Sequence, residues 1–193
     1  YVDKVSELGR PDAILLPGTK NTMKDMRWLR ESGLEAAIVR CAEQGSIVFG
    51  ICGGYQMLGK KITDACGVED YGTIRGIGLL PMETCFEEEK TRTRVEGKTN
   101  LLTGVFASLS QKKVSGYEIH MGSSKTESAG VILQKVSDIS KSGLTEADTD
   151  MEKPDGCYSG NVMGTYLHGI FDGQEFRSAF TRLLCQRKGI DYC

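Results

Sequence analysis

Cys52 sits in Gly50-Ile51-Cys52-Gly53-Gly54, with one glycine two residues before it and another two residues after. That is the spacing of the nucleophile elbow, with a thiol in the place more often held by a hydroxyl. Ahead of it, Ser46-Ile47-Val48-Phe49 is short, apolar and largely β-branched, as a buried strand is. Behind it, Tyr55-Gln56-Met57-Leu58 predicts a short helix closed by Gly59. A strand that turns this sharply into a helix forces its central residue into a strained conformation, so the neighbours must be nearly bare. The side chain is then lifted clear of the sheet at a helix N-terminus, where the dipole is expected to favour the thiolate. The chemistry this would serve is nucleophilic attack through a covalent intermediate. A small buried hydrophobe is the bland alternative for any one cysteine, so the partners decide.

A thiol nucleophile needs a base to take its proton and to protonate the leaving group, and histidine does this best near neutral pH. The chain has two histidines, His120 and His168. His168 directly follows the apolar run Val162 to Leu167 and precedes Gly169. A base presented at the C-terminal edge of a sheet would stand there, so His168 is the expected base. His120 lies inside the glycine-bounded strand Gly116 to Gly122, where a structural role and a role in substrate contact or domain docking are equally open. Asp172 and Glu118 are weak candidates for a carboxylate that orients the imidazole. A backbone carbonyl or a water on the far ring nitrogen is the preferred reading. Acyl transfer also needs donors for the oxyanion. The Gly53 amide follows the nucleophile, and the Leu16-Pro17-Gly18-Thr19 loop offers a second bare amide at Gly18.

These groups need a scaffold. Asp12 to Leu16 predicts a central parallel strand that stops at Pro17-Gly18. Asn21 or Thr22 can cap a helix from Met23 to about Gly33. Leu34, Ala37, Ile38 and Cys41 then form one apolar helical stripe ending near Gln44-Gly45. Strand, helices and strand with short loops make a crossover unit whose strands end on the same edge, which brings Gly18 beside Cys52. Residues 60–75 read as mostly loop, Gly76 to Leu80 as a short strand, and Thr91 to Glu96 as a half-exposed strand. Leu101 to Lys113 is ambiguous. Ser115 to Gly122, Gly130 to Leu133 and Asn161 to Leu167 read as strands, and residues 137–156 as a polar excursion. A closing helix places Phe176, Phe180, Leu183 and Leu184 on one face.

The 193 residues suffice for one domain with a full core. A net charge of −2 provides no basic field for nucleic acid or an anionic membrane. No apolar run approaches the ~20 residues of a membrane span. Seven irregularly spaced cysteines without a C-x-x-C argue against zinc and against a disulfide framework. The expectation is a reduced, cytoplasmic protein with no metal. The missing N-terminal methionine predicts a piece of something longer.

Four segments carry a resemblance. Leu15 to Thr22 (LLPGTKNT), Gly50 to Gly59 (GICGGYQMLG), Gly116 to Gly122 (GYEIHMG) and Gly164 to Asp172 (GTYLHGIFD) resemble, in order, the class I glutamine amidotransferase domains of the cobyric acid synthase family. The resemblance implies a three-layer, flavodoxin-like α/β fold with a mostly parallel central sheet. It implies that residues 1–193 are the glutaminase domain at the C-terminal end of a longer synthase. Cys52 would be the nucleophile and His168 the base, with Gly18 and Gly53 as oxyanion donors and Gln56 as a contact of the bound glutamine. No cofactor is expected in this domain. ATP and Mg²⁺ would belong to an N-terminal synthetase domain, whose P-loop pattern does not occur here. Ammonia would pass to that domain to amidate carboxylates b, d, e and g of adenosylcobyrinic acid a,c-diamide. Members of the wider class place a glutamate two residues after the histidine. This chain has Ile170, as the cobyric and cobyrinic branch does, so the resemblance implies a slow glutaminase until the domain is docked. The competing readings are a cobyrinic acid a,c-diamide synthase glutaminase, an unrelated elbow-type thiol hydrolase or peptidase, and a docking domain without catalysis.

Overall fold

A computed structural model describes residues 1–126, 130–138 and 152–191. A one-turn helix α1 (Val5–Leu8) leads into strand β1 (Ala13–Leu16). Helices α2 (Thr22–Glu31) and α3 (Leu34–Glu43) follow, then strand β2 (Ile47–Ile51) and helix α4 (Gly53–Leu58). The expected cap holds, since the Asn21 side chain accepts from the Lys24 amide at 2.8 Å. β1 and β2 are parallel neighbours, with Leu16 opposite Gly50. The loop after β1 therefore opens beside Cys52. Strand β10 (Val162–Thr165) pairs in parallel on the other side of β2, with Thr165 opposite Ile51, and β9 (Cys157–Ser159) adds an antiparallel edge.

This four-stranded sheet is the parallel core of an α/β fold. Successive β2 residues serve opposite faces. Val48 packs with Ile14, Leu16, Met26 and Ile38 against the first helices, and Ile47 and Phe49 pack with Phe176, Phe180 and Leu183 of the closing helix α5 (Gln174–Arg187). Helices therefore cover both faces, giving the three expected layers.

A second, seven-stranded sheet goes beyond the sequence reading. It is built on two long strands, β5 (Met82–Thr99) and β6 (Lys113–Thr126), paired antiparallel with an irregularity between Cys85 and Lys90. β3 (Lys61–Asp64) and β4 (Gly72–Arg75) join it as a hairpin, where mostly loop was expected. Only Ile62 and Ile74 are apolar in those strands, too few to show an alternation. Conversely, Gly76 to Leu80 is not a strand. The amides of Ile77 and Leu80 bond the Met57 and Leu58 carbonyls at 2.8 and 2.9 Å, so the segment caps the end of α4. The ambiguous stretch holds a 3₁₀ helix (Gly104–Leu109) that buries Phe106 and Leu109.

β7 (Ile132–Asp138) pairs with β5 and with β8 (Glu152–Asp155), so the outer parts of the expected 137–156 excursion are strand. Residues 139–151 lie outside the described residues. The run Asn161 to Leu167 is two strands in different sheets. β10 ends at Thr165, and β11 (Leu167–His168) pairs with β6, placing Leu167 opposite Glu118 and His168 opposite Tyr117. Among the described residues, no helix is long and apolar enough to cross a membrane.

Candidate active site

Cys52 occupies the turn between β2 and α4 with φ 51° and ψ −111°, a conformation that costs a non-glycine residue about 1–3 kcal/mol. The turn is held at both ends. The Cys52 amide donates to the Thr165 carbonyl and its carbonyl accepts from the Gln56 amide, each at 2.9 Å. A side chain at Gly50 would stand 2.7 Å from the Gly54 carbonyl oxygen and from Leu58. At Gly54 a side chain would enter the Leu16 carbonyl of the neighbouring strand. The glycines that frame the elbow are thus required by close backbone approach.

Cys52, His168, Gly18, Thr19, Lys20 and Ile119 line one cleft of about 300 Å³, the low end of the range for small-molecule sites. Cys52 and His168 come from distant segments and meet at Gly18. A larger apolar groove of about 590 Å³ runs along the far flank of edge strand β1, beside Trp28 and Leu29. It borders Gly18 and Thr19 but includes neither Cys52 nor His168, which both line the smaller cleft.

The electrostatics of the pair correct one expectation. Cys52 is 7% exposed. Burial pushes its thiol up to about 11, and the Asp155, Glu69 and Glu118 carboxylates add to that, against the Gly53 N–H, which favours the thiolate. Desolvation outweighs the short helix, so the thiol rests protonated. His168 moves the other way. Burial holds it below the usual imidazole range, His120 adds to the lowering, and the facing Ile119 carbonyl partly opposes both. The resting site is therefore a neutral thiol beside a neutral imidazole.

Ile119 is a participant that sequence reasoning did not single out. The Cys52 thiol donates to its carbonyl at 3.5 Å, and the same carbonyl faces His168. Among the described residues no carboxylate pairs with the His168 ring. Asp172 lies against Gly169, while Glu118 is engaged by His120 at 2.7 Å and Lys153 at 3.2 Å. A backbone acceptor leaves no side-chain signature, which is why no motif pointed to it.

Gly53 N–H is directed at the Cys52 sulfur, and Gly18 lines the same cleft. Gln56 is placed differently from a substrate contact. It is 2% exposed and absent from the cleft wall, and its amide is used on Thr22 (3.1 Å), the Met121 carbonyl (3.3 Å) and the Tyr166 hydroxyl (3.3 Å). Among the described residues no group of three or more His, Cys, Asp or Glu could hold a metal ion, and six cysteines are free thiols.

An elbow cysteine at the end of a parallel strand, a histidine from a later strand and bare amides beside them are the parts that thiol-dependent acyl transfer would need. Solved structures share the fold. A glutamine amidotransferase crystal structure matches with TM-score 0.57 at 17% identity, over 98% of this chain and 85% of that one. The structure of PurLQS from Thermotoga maritima matches with TM-score 0.50 at 17% identity, over 91% and 80%. The chain belongs to the CobB/CobQ-like glutamine amidotransferase family, whose domain model matches residues 1–176. Relatives include the cobyric acid synthases of Ruminiclostridium cellulolyticum, 48% identical over all of this chain, and Lachnoclostridium phytofermentans, 45% identical over all of it. That of Yersinia enterocolitica is 42% identical over 98%. The chain spans only 36–37% of the length of these relatives.

Proposed function

We propose that this domain hydrolyses glutamine through a Cys52 thioester and supplies ammonia to an ATP- and Mg²⁺-dependent synthetase. The observation that carries the reading is the single cleft in which Cys52, His168 and Gly18 meet. His168 accepts the thiol proton as sulfur adds to the side-chain carbonyl carbon of glutamine. The Gly53 and Gly18 amides stabilise the oxyanion. His168 then returns the proton to the departing nitrogen, ammonia leaves, and a γ-glutamyl thioester remains. In the second half His168 takes a proton from water, hydroxide adds to the thioester, and glutamate leaves as sulfur regains the proton.

The relatives' name points to the acceptor. The whole protein is then an amide ligase of cobalamin biosynthesis, amidating side chains b, d, e and g of adenosylcobyrinic acid a,c-diamide in the cytoplasm. Which corrin carboxylates the whole protein amidates separates this from a cobyrinic acid a,c-diamide synthase. The glutaminase reading is tested by trapping with a glutamine-analogue electrophile. Wild type is expected to be labelled at Cys52 and Cys52→Ala to be inert. If Cys52→Ser is labelled as well as wild type, the nucleophile lies elsewhere.

A further inference from the structure

Beneath the cleft lies a buried polar assembly that the reaction above does not use. His120 is 9% exposed and Glu118 is 2% exposed. The His120 ring is held at both nitrogens, Nδ1 by the Gly122 carbonyl at 2.8 Å and Nε2 by Glu118 Oε1 at 2.7 Å. A carbonyl only accepts, and so does the Glu118 carboxylate, which, against its burial, His120 and Lys153 hold below the usual carboxylate range, so both ring nitrogens face acceptors, the arrangement of an imidazolium–carboxylate pair. The ring stacks on Tyr166, centroids 3.7 Å apart and planes 20° apart. The Tyr166 hydroxyl bonds Ser124 at 2.6 Å and the Gln56 amide at 3.3 Å. Gln56 stands on the elbow helix, and Tyr166 lies two residues before His168. One network thus joins β6, the elbow and the segment that carries the base.

The clamp has one residue inside it. Glu118, His120 and Gly122 alternate along β6 and point to one face. Ile119 lies between the first two, and its carbonyl is the group that meets both Cys52 and His168. We propose that Glu118 and His120 are positioning residues, a buried ionic clamp that sets the Ile119 carbonyl as the orienting acceptor of the catalytic histidine, where a triad would place a carboxylate. The proposal rests on the glutaminase reading.

Two further facts agree with it. A buried ion pair is an inefficient way to stabilise a fold, because desolvation consumes much of the attraction. Yet this chain spends one on the strand beside the site and adds a third charge, Lys153, 3.2 Å from Glu118. The charge on His120 also helps hold His168 neutral, ready to act as a base. The groups facing His120 are Glu118 with Lys153 behind it, the Tyr166 ring, Asp155 and His168. Removing the imidazolium should therefore move the proton affinity of His168 as well as its orientation.

The test uses the whole protein with His120→Gln, Glu118→Gln and Lys153→Met, read by glutaminase kcat, KM, the pH profile of kcat/KM and thermal unfolding. Misplacing a catalytic group by a fraction of an ångström costs on the order of 10–100-fold. His120→Gln is expected to lower kcat by that factor, leave KM within about threefold, and shift the ascending limb of the profile to higher pH. Glu118→Gln, which keeps a hydrogen bond to His120, is expected to fall between His120→Gln and wild type. Lys153→Met touches an exposed side chain and is expected to keep the fold. It should act in the same direction more weakly, and it carries the test if the buried variants do not fold. Folded variants with wild-type kcat and an unmoved limb would overturn the proposal, as would a loss confined to KM. Activity surviving in Cys52→Ala would instead remove the glutaminase reading beneath it.

Discussion

Gly18 stands so close to His168 that a methyl group on it would lie 2.9 Å from Cε1 of the imidazole and 3.7 Å from Nδ1. The same methyl would be 3.5 Å from the Cys52 β-carbon. The backbone of the loop after β1 is thus a wall shared by Cys52 and His168, the proposed nucleophile and base. Gly18→Ala is expected to push the imidazole aside and lower glutaminase kcat by about 100-fold, because reacting groups must be held within a few tenths of an ångström. The position is exposed, so the thermal midpoint should move little. Steady-state kinetics beside a melting curve check both halves, and an unchanged kcat would mean that His168 has room to adapt.

The pH dependence of thiol reactivity follows from the neutral pair. With the Cys52 thiol pushed up to about 11 by burial and nearby carboxylates, only the rare thiolate reacts with a small alkylating agent. Carboxamidomethylation of Cys52, followed by peptide mapping to separate it from exposed Cys66 and Cys85, is expected to rise about tenfold per pH unit between pH 7 and 10. A rate already level at pH 7 would show a thiolate formed in advance, as an imidazolium–thiolate pair gives.

Much of this site was legible because its demands are local. The elbow needs bare neighbours at Gly50, Gly53 and Gly54, and α2 needs its cap at Asn21, so both show in a few letters. The parallel contact of β1 with β2 followed from short loops and the crossover rule. What stayed hidden depends on non-local pairing. Nothing near His168 announces that the chain changes sheets at Tyr166, where the free amide is taken by Asp155 from another strand. The β3–β4 hairpin has too few apolar residues to alternate visibly, and the apolar Gly76 to Leu80 looks like a strand while serving as a helix cap. The Cys52 expectation failed for a related reason. The dipole of a six-residue helix can be inferred from the letters, but the burial and the three carboxylates that outweigh it cannot.

Asp64 organises the loop that reaches from β3 to α2. Its carboxylate is fully buried and accepts four backbone amides, Gly67 and Val68 on Oδ1 and Glu69 and Asp70 on Oδ2, at 2.7–3.0 Å. That fold of the loop delivers Glu69 to the Met23 amide at 2.9 Å and the Thr22 hydroxyl at 3.1 Å. Asp64→Ala strands these donors and is expected to cost about 2–4 kcal/mol by urea unfolding at pH 7. Burial pushes this carboxyl up, but the four amides outweigh it and leave it below the ordinary 3.8. A depressed carboxyl lends stability above its unfolded value and loses it as pH falls below, so the difference between wild type and Asp64→Ala should shrink below about pH 4. A constant difference from pH 7 to pH 3 would count against the carboxylate.

Asp155 is the opposite case. It is buried where the chain crosses between sheets, accepting from the Thr165 hydroxyl and from the Tyr166 amide at 3.1 Å. Burial pushes its carboxyl up to about 6, with Glu118 adding to the rise and the Thr165, Tyr166 and His120 contacts opposing it. With the folded value above the unfolded 3.8, the stability tied to this proton is complete below pH 4 and is lost as pH rises to about 6. Asp155→Asn removes that titration. Relative to wild type it is expected to gain on the order of 2–3 kcal/mol between pH 4 and pH 7, at about 1.4 kcal/mol per unit. The Thr165 carbonyl also receives the Cys52 amide at 2.9 Å, so Asp155→Ala should loosen nucleophile and base together and lower kcat by at least tenfold. Denaturant unfolding of both variants across pH 4–7, beside glutaminase kinetics, checks the two consequences. A flat stability difference for Asp155→Asn would mean that the carboxyl titrates as if solvated, and wild-type kcat in Asp155→Ala would mean that the crossing keeps its shape without it.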